Sequence, residues 1–196
     1  MSDRPNRREA IVQAALKLFI EQGYNATSVR QISEVVGVTE AALYYHFKDG
    51  KRAVLQAVVE HELPDMLSLL EDVKAAESLY DLGMRFGGGL EHLLQHAHKR
   101  RLLRWIVAEF PLLSSDERAI VQQKQHLFHA TLRELVGRYI PDAVTASHVT
   151  WTLMCAGFGY GQLFVNLGLV DTVDFSPQAI GEVLATMLSR AYESRE

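Results

Sequence analysis

Eight histidines are the chain's most conspicuous reactive side chains, and two pairs stand at helical spacing: His92 with His96, and His126 with His129. Either pair could present two imidazoles to one ion from a single helix face. Neither has a cysteine to complete it, and Gln, Lys and Arg crowd the same stretches, so they read as surface or pocket histidines; no metal and no cofactor is expected. The single cysteine, Cys155, lies among Met154, Ala156 and Phe158, a setting for a small core hydrophobe. One cysteine cannot form an intramolecular disulfide. Gly87 to Gly89 would suit a phosphate loop only with Gly-Lys-Ser/Thr behind it, and none follows, which leaves a helix break or a place of close packing. No Ser, His and Asp arrangement carries a diagnostic local sequence, so an enzyme is not expected.

The elements that must position any site read as helices. Apolar residues recur at spacings of three and four, and no segment alternates over strand length. Ile11, Ala15, Leu18 and Phe19 line one face of a first helix from Arg7, which Gly23 and Tyr24 end. Thr27 or Ser28 offers the next N-cap, with Ser28 and Gln31 at capping-box spacing, and Val29, Ile32, Val35 and Val36 supply an apolar face up to Gly37. Thr39 caps a third helix, about Glu40 to Phe47, whose Leu43 and Phe47 share one face while Glu40, Ala41, Tyr44 and Tyr45 point elsewhere. Two short helices joined by a glycine turn, with a longer one supplying their core, make a helix-turn-helix unit. At 1.5 Å per residue the third helix is roughly 12 Å long, comparable with the width of a major groove.

A fourth helix runs from Lys51 toward Leu70, and Pro64 should kink or split it. Further helical patterns cover about Leu79 to His98, Lys99 to Leu112, Asp116 to Tyr139, Ala143 to Gly168 and Ser176 to Tyr192, with boundaries expected at Gly87 to Gly89, Pro111, Pro141 and Pro177. Gly157 and Gly161, four apart in an apolar helix, suggest close approach of another helix backbone, which internal packing alone can supply.

Charge is distributed unevenly. Net charge is −4 over 196 residues, yet residues 1–52 hold eight Lys or Arg against six Asp or Glu, and the remainder 12 against 18. A mildly basic head on an acidic body agrees with nucleic acid at the head. With 48% hydrophobic and 22% charged residues the composition is that of a folded globular chain. Neither a signal peptide nor an apolar run of membrane-spanning length occurs, so no membrane partner and a cytoplasmic location are expected.

The stretch Gly23 to Phe47, GYNATSVRQISEVVGVTEAALYYHF, closely resembles the DNA-binding region of the TetR/AcrR family. The resemblance rests on Gly23, Tyr24, Thr27, Ile32, Gly37, Val38, Leu43, Tyr44, His46, Phe47 and Lys51, and covers about Arg7 to Val59. It implies an all-α chain with an N-terminal helix-turn-helix domain, residues 1–52, and a helical ligand-binding and dimerisation domain, residues 53–196. By the same resemblance Thr27, Tyr44, Tyr45, His46 and Lys51 touch or flank DNA phosphates, while Arg30, Glu40 and Ala41 face the groove. Ser28 and Thr39, hydroxyls at helix N-termini, and Lys48 complete the expected DNA-binding set. Hydroxyls, lysines and helix N-terminal amides suit phosphate, and an arginine can bridge guanine in bidentate fashion. One departure is that the family places its lysine three residues after the phenylalanine, whereas Phe47 and Lys51 are four apart; Lys48 is placed to share the role.

Beyond the head, the resemblance implies a homodimer whose seam is a four-helix bundle, with Gly157 and Gly161 as its close-approach residues. A small-molecule effector is expected among the aromatic residues of the body: Phe86, Trp105, Phe110, Phe128, Trp151 and Phe158. The function implied is a ligand-responsive repressor on a palindromic double-stranded operator. The alternatives are an activator of the same fold, or a ligand- or partner-binding protein without operator repression.

Overall fold

Gly23 and Gly37 turn the chain out of its first two helices in the left-handed conformation, φ 89° and 72°, that a Cβ disfavours. In the computed structural model, which describes residues 7–169 and 172–192 apart from the side chains of 62–66, 98 and 165, α1 spans Arg7–Gln22, α2 Val29–Val36 and α3 Glu40–His46. The expected cap at Ser28 is present as a full capping box: Ser28 Oγ accepts from the Gln31 N–H and the Ser28 N–H donates to Gln31 Oε1. Thr39 caps α3 by accepting from the Ala42 N–H. Ile11, Ala15, Phe19, Ile32 and Leu43 are buried completely, as the spacing requires, but Val35 is 57% exposed and lies on the outer face of α2.

The rest of the chain is α4 (Lys51–Leu67), α5 (Leu69–Lys74), α6 (Leu79–Gln95), α7 (Ala97–Glu109), a 3-10 turn (Phe110–Leu112), α8 (Ser115–Gly137), α9 (Ala143–Tyr160), a π turn (Gly161–Asn166) and α10 (Pro177–Tyr192). No strand occurs among the described residues. Helix α4 passes through Pro64 and ends at Leu67, so the break falls four residues beyond the proline, whose ring lies outside the described side chains. Gly87 to Gly89 do not break α6. A methyl at Gly87 would lie 2.7 Å from the Gly181 Cα, and one at Gly83 would lie 2.8 Å from the Ala185 Cα. The glycines therefore let α6 and α10 meet backbone to backbone. The break instead comes at His96, between α6 and α7. Past Tyr160 the expected straight helix widens: the Leu167 N–H reaches the carbonyl of Gln162, five residues back, and Tyr160 stacks on Phe164 at 4.4 Å.

Two compact units result. The first comprises Met1–Pro64 and Trp105–Gln123, because the end of α7 and the start of α8 complete the core around α1: Trp105 stacks on Phe19, with ring centroids 5.8 Å apart. The second comprises Asp65–Arg104 and Lys124–Glu196 and is cored by Leu79, Leu82, Phe86, Leu132, Leu153 and their neighbours.

Candidate nucleic-acid interface

The outer face of α2 and α3 is built by default. Ile32, Leu43 and Phe47 turn inward to the core, which leaves Arg30, Glu34, Thr39, Glu40, Ala41, Tyr44, Tyr45 and Lys48 in solvent. Tyr45 is 81% exposed and Tyr44 46%, far more than tyrosines that cover a core. Tyr44 rests against Gly50, where a methyl would lie 3.0 Å from its ring, so the glycine sets where that ring can stand. Tyr45 packs edge-on to the half-buried His46 at 5.3 Å. Three hydroxyls, two cations and a small apolar side chain on one capped helix pair suit phosphate oxygens at the edges and base edges between.

Three expected contacts are committed elsewhere. Thr27 is 2% exposed; its hydroxyl donates to the Gly23 carbonyl at 2.8 Å and accepts from Gln22 Nε2, pinning the turn after α1. The Ser28 hydroxyl is consumed by its capping box with Gln31. Lys51 donates through Nζ to the Tyr24 carbonyl at 3.0 Å and to the Asn25 carbonyl at 3.5 Å, and sits 4.3 Å from the centre of the Tyr24 ring. Burial lowers its pKa, with Glu117 and Glu109 opposing that effect. Lys48, exposed, is left as the lysine of this face.

Behind the face lies a polar cluster that local sequence gives no sign of. The Tyr24 N–H donates to Glu109 Oε2 at 3.0 Å and its hydroxyl to Glu117 Oε1 at 2.5 Å, so residues 85 and 93 positions further along the chain grip the turn that follows α1. Burial and then the bond to Glu117 push the Tyr24 phenol well above its ordinary range. Glu117 itself is desolvated, which would raise it, but bonds from Tyr24 and Ser114 outweigh that and hold it low. Arg52 bridges Asp49 and Asp116 at 3.0 and 3.1 Å on the surface.

The six aromatic residues expected to line one pocket fall in both units. Trp105 and Phe110 belong to the first unit, and Trp105 is bound into its core. Phe86 is buried in the core of the second unit, with Phe128 packed against it. Trp151 and Phe158, on α9, are 51% and 60% exposed, and Cys155 between them is exposed rather than core. A depression of about 480 Å³ on α8 and α9 is lined instead by His129, Arg133, Glu134, Ile140 and Pro141 among others. Gly157 faces inward, since a methyl there would lie 3.1 Å from Leu90 of the same chain, whereas Gly161 has open space. Among the described residues no group of three His, Cys, Asp or Glu is placed to hold a metal, and no helix is long and apolar enough to cross a membrane.

The sequence model of the family described as bacterial regulatory proteins, tetR family, matches residues 11–58. The chain is 48% identical to the HTH-type transcriptional regulator AcrR of Shigella flexneri over 186 residues, covering 88% of this chain and 80% of that one. Among solved structures it resembles Salmonella enterica GusR, with a TM-score of 0.75 at 18% identity over 98% of each chain. It also resembles AibR, solved in complex with isovaleryl coenzyme A and operator DNA, with a TM-score of 0.67 at 17% identity over 93% of this chain and 98% of that one. The two structural likenesses concern the fold. The family match lies on the capped helix pair just described, and the AcrR match extends through the body: the chain belongs to the tetR family of bacterial regulatory proteins, which are helix-turn-helix transcription regulators.

Proposed function

We propose that the chain is a cytoplasmic, ligand-responsive repressor that binds a palindromic operator as a homodimer, through the exposed face of α2 and α3. The observation that carries this reading is the solvent-facing row Arg30, Thr39, Ala41, Tyr44, Tyr45 and Lys48 on two helices whose inward residues are fully committed to the core. A helix of seven residues reaches only a few base pairs, so useful discrimination calls for two half-sites. A row on the second unit supports the dimer: Val144, Trp151 and Phe158 stand seven apart on α9, and Val183 and Met187 four apart on α10, all between 51% and 63% exposed. Apolar residues at heptad spacing suit helix-to-helix packing between copies.

The effector is a small molecule held by the second unit, and the AibR complex, with its coenzyme A thioester and operator DNA, supports a protein that takes both. Helices α4, α7 and α8 each begin in one compact unit and end in the other, so a change in the second unit reaches the first along three continuous helices. Coupling requires that the effector bind one arrangement better than the other.

The test is selection of bound sequences from a pool of random duplexes. The expected result is a palindrome with half-site centres about 10 base pairs apart or a multiple of that. A pool that returns without enrichment leaves a ligand- or partner-binding protein as the reading.

A further inference from the structure

Arg30 leaves α2 with one edge of its guanidinium already engaged. Its Nε donates to Glu34 Oε1 at 2.8 Å, one turn along the helix, while the two side chains remain 75% and 61% exposed. A guanidinium offers two forks, one of Nε with an Nη and one of the Nη pair at its tip. Glu34 occupies the first through Nε, and among the described residues the terminal fork has no hydrogen-bond partner. Glu40, at the start of α3, lies close enough to add its charge to the same guanidinium, so Arg30 is flanked by carboxylates from both helices of the exposed face.

We infer that Glu34 is a positioning and specificity-determining residue of the DNA-reading face, holding Arg30 by Nε so that the terminal fork is presented to O6 and N7 of a guanine. The inference rests on the operator reading above. A long, free arginine meets phosphates as readily as bases, and holding it in one geometry favours the bidentate partner that matches a planar fork. The Glu34 carboxylate also opposes any phosphate that approaches Arg30, and its charge weakens such encounters alike on every sequence. Losing Glu34 therefore has two consequences of opposite sign: weaker discrimination at one base pair, and tighter binding to unrelated DNA. Plain support of α2 by an exposed ion pair four residues apart would instead shift stability slightly and leave base preference unmoved.

The experiment takes the full chain and its Arg30→Ala, Glu34→Ala and doubly substituted variants through selection from one random duplex pool, then titrates each against the enriched and an unrelated duplex. Both residues are exposed, so the variants keep the fold. The unsubstituted chain should enrich a guanine at one position per half-site. Each single variant should lose that preference by about tenfold, and the double variant by no more than either single. Glu34→Ala should also bind the unrelated duplex more tightly. Retention of the guanine preference in Glu34→Ala, or losses that add in the double variant, would overturn the inference. A palindrome whose bases do not respond to Arg30 leaves the operator reading standing and removes this one; no enrichment by the unsubstituted chain removes both.

Discussion

Tyr24 is where the polar bonds of the first unit converge, and its chemistry makes the fold sensitive to pH in a definite way. Its hydroxyl donates to Glu117, its N–H to Glu109, and its carbonyl takes the Lys51 ammonium. The phenol is raised above 10.0, so its contribution is fully present below that value and is lost as pH rises past it. Glu117 is depressed below 4.5, so its contribution is present above that value and is lost as pH falls through the folded-state value. These two groups hold their contributions across a plateau between about pH 5 and 9 and lose them on either side, while His129, whose pKa burial lowers, adds its own loss as pH falls below 6.5. Tyr24→Phe, which deletes the buried hydroxyl, should lower unfolding free energy by about 1 to 3 kcal/mol in the plateau and remove most of the alkaline fall. Denaturant titrations at several pH values check this, and a variant with the parent's alkaline fall would contradict the assignment. The family resemblance pointed to Thr27 and Lys51 as phosphate ligands. What it cannot supply is the competing partner: Thr27 is buried against its own turn and Lys51 against the carbonyls of Tyr24 and Asn25. Glu34 was accessible, since Arg30 and Glu34 stand four apart on one helix, a spacing at which opposite charges meet.

At the scale of elements, what was legible in the sequence had local causes. The capping box at Ser28, the cap at Thr39 and the glycine stops are made by residues a few positions apart, and they appear where expected. Gly87 to Gly89 misled as a boundary because what they meet is distant in sequence: Gly181 of α10 stands against Gly87, and Leu69 of α5 against Gly89. The core role expected for Cys155 failed likewise, since which side of α9 faces inward is decided by Leu90 and Phe86 of α6, against which Gly157 stands. Gly87→Ala should place a methyl 2.7 Å from the Gly181 Cα, so α6 and α10 must part. The expected cost is about 1 to 3 kcal/mol, seen as a lower melting temperature. Gly161→Ala, with open space around it, should melt as the parent does. Equal melting temperatures for both variants would show that α6 and α10 do not touch in this way.

For the whole molecule, the row Val144, Trp151, Phe158, Val183 and Met187 must be covered by something, and a second copy of the chain is the proposed cover. Phe158→Glu places a charge in that row without disturbing the core and should convert dimer to monomer in sedimentation velocity, with operator affinity falling alongside. A Phe158→Glu protein that sediments as the parent does would put the interface elsewhere.

Helices α2 and α3 of two copies are proposed to read one duplex from its major groove, and guanine N7, which lies in that groove, reports on this directly. Dimethyl sulfate protection on the enriched duplex should show two clusters of shielded guanines on one face of the helix, centred about 10 base pairs apart or a multiple of that. Both clusters should weaken together in Arg30→Ala. A single cluster, or N7 positions as reactive with protein bound as without it, would contradict the account.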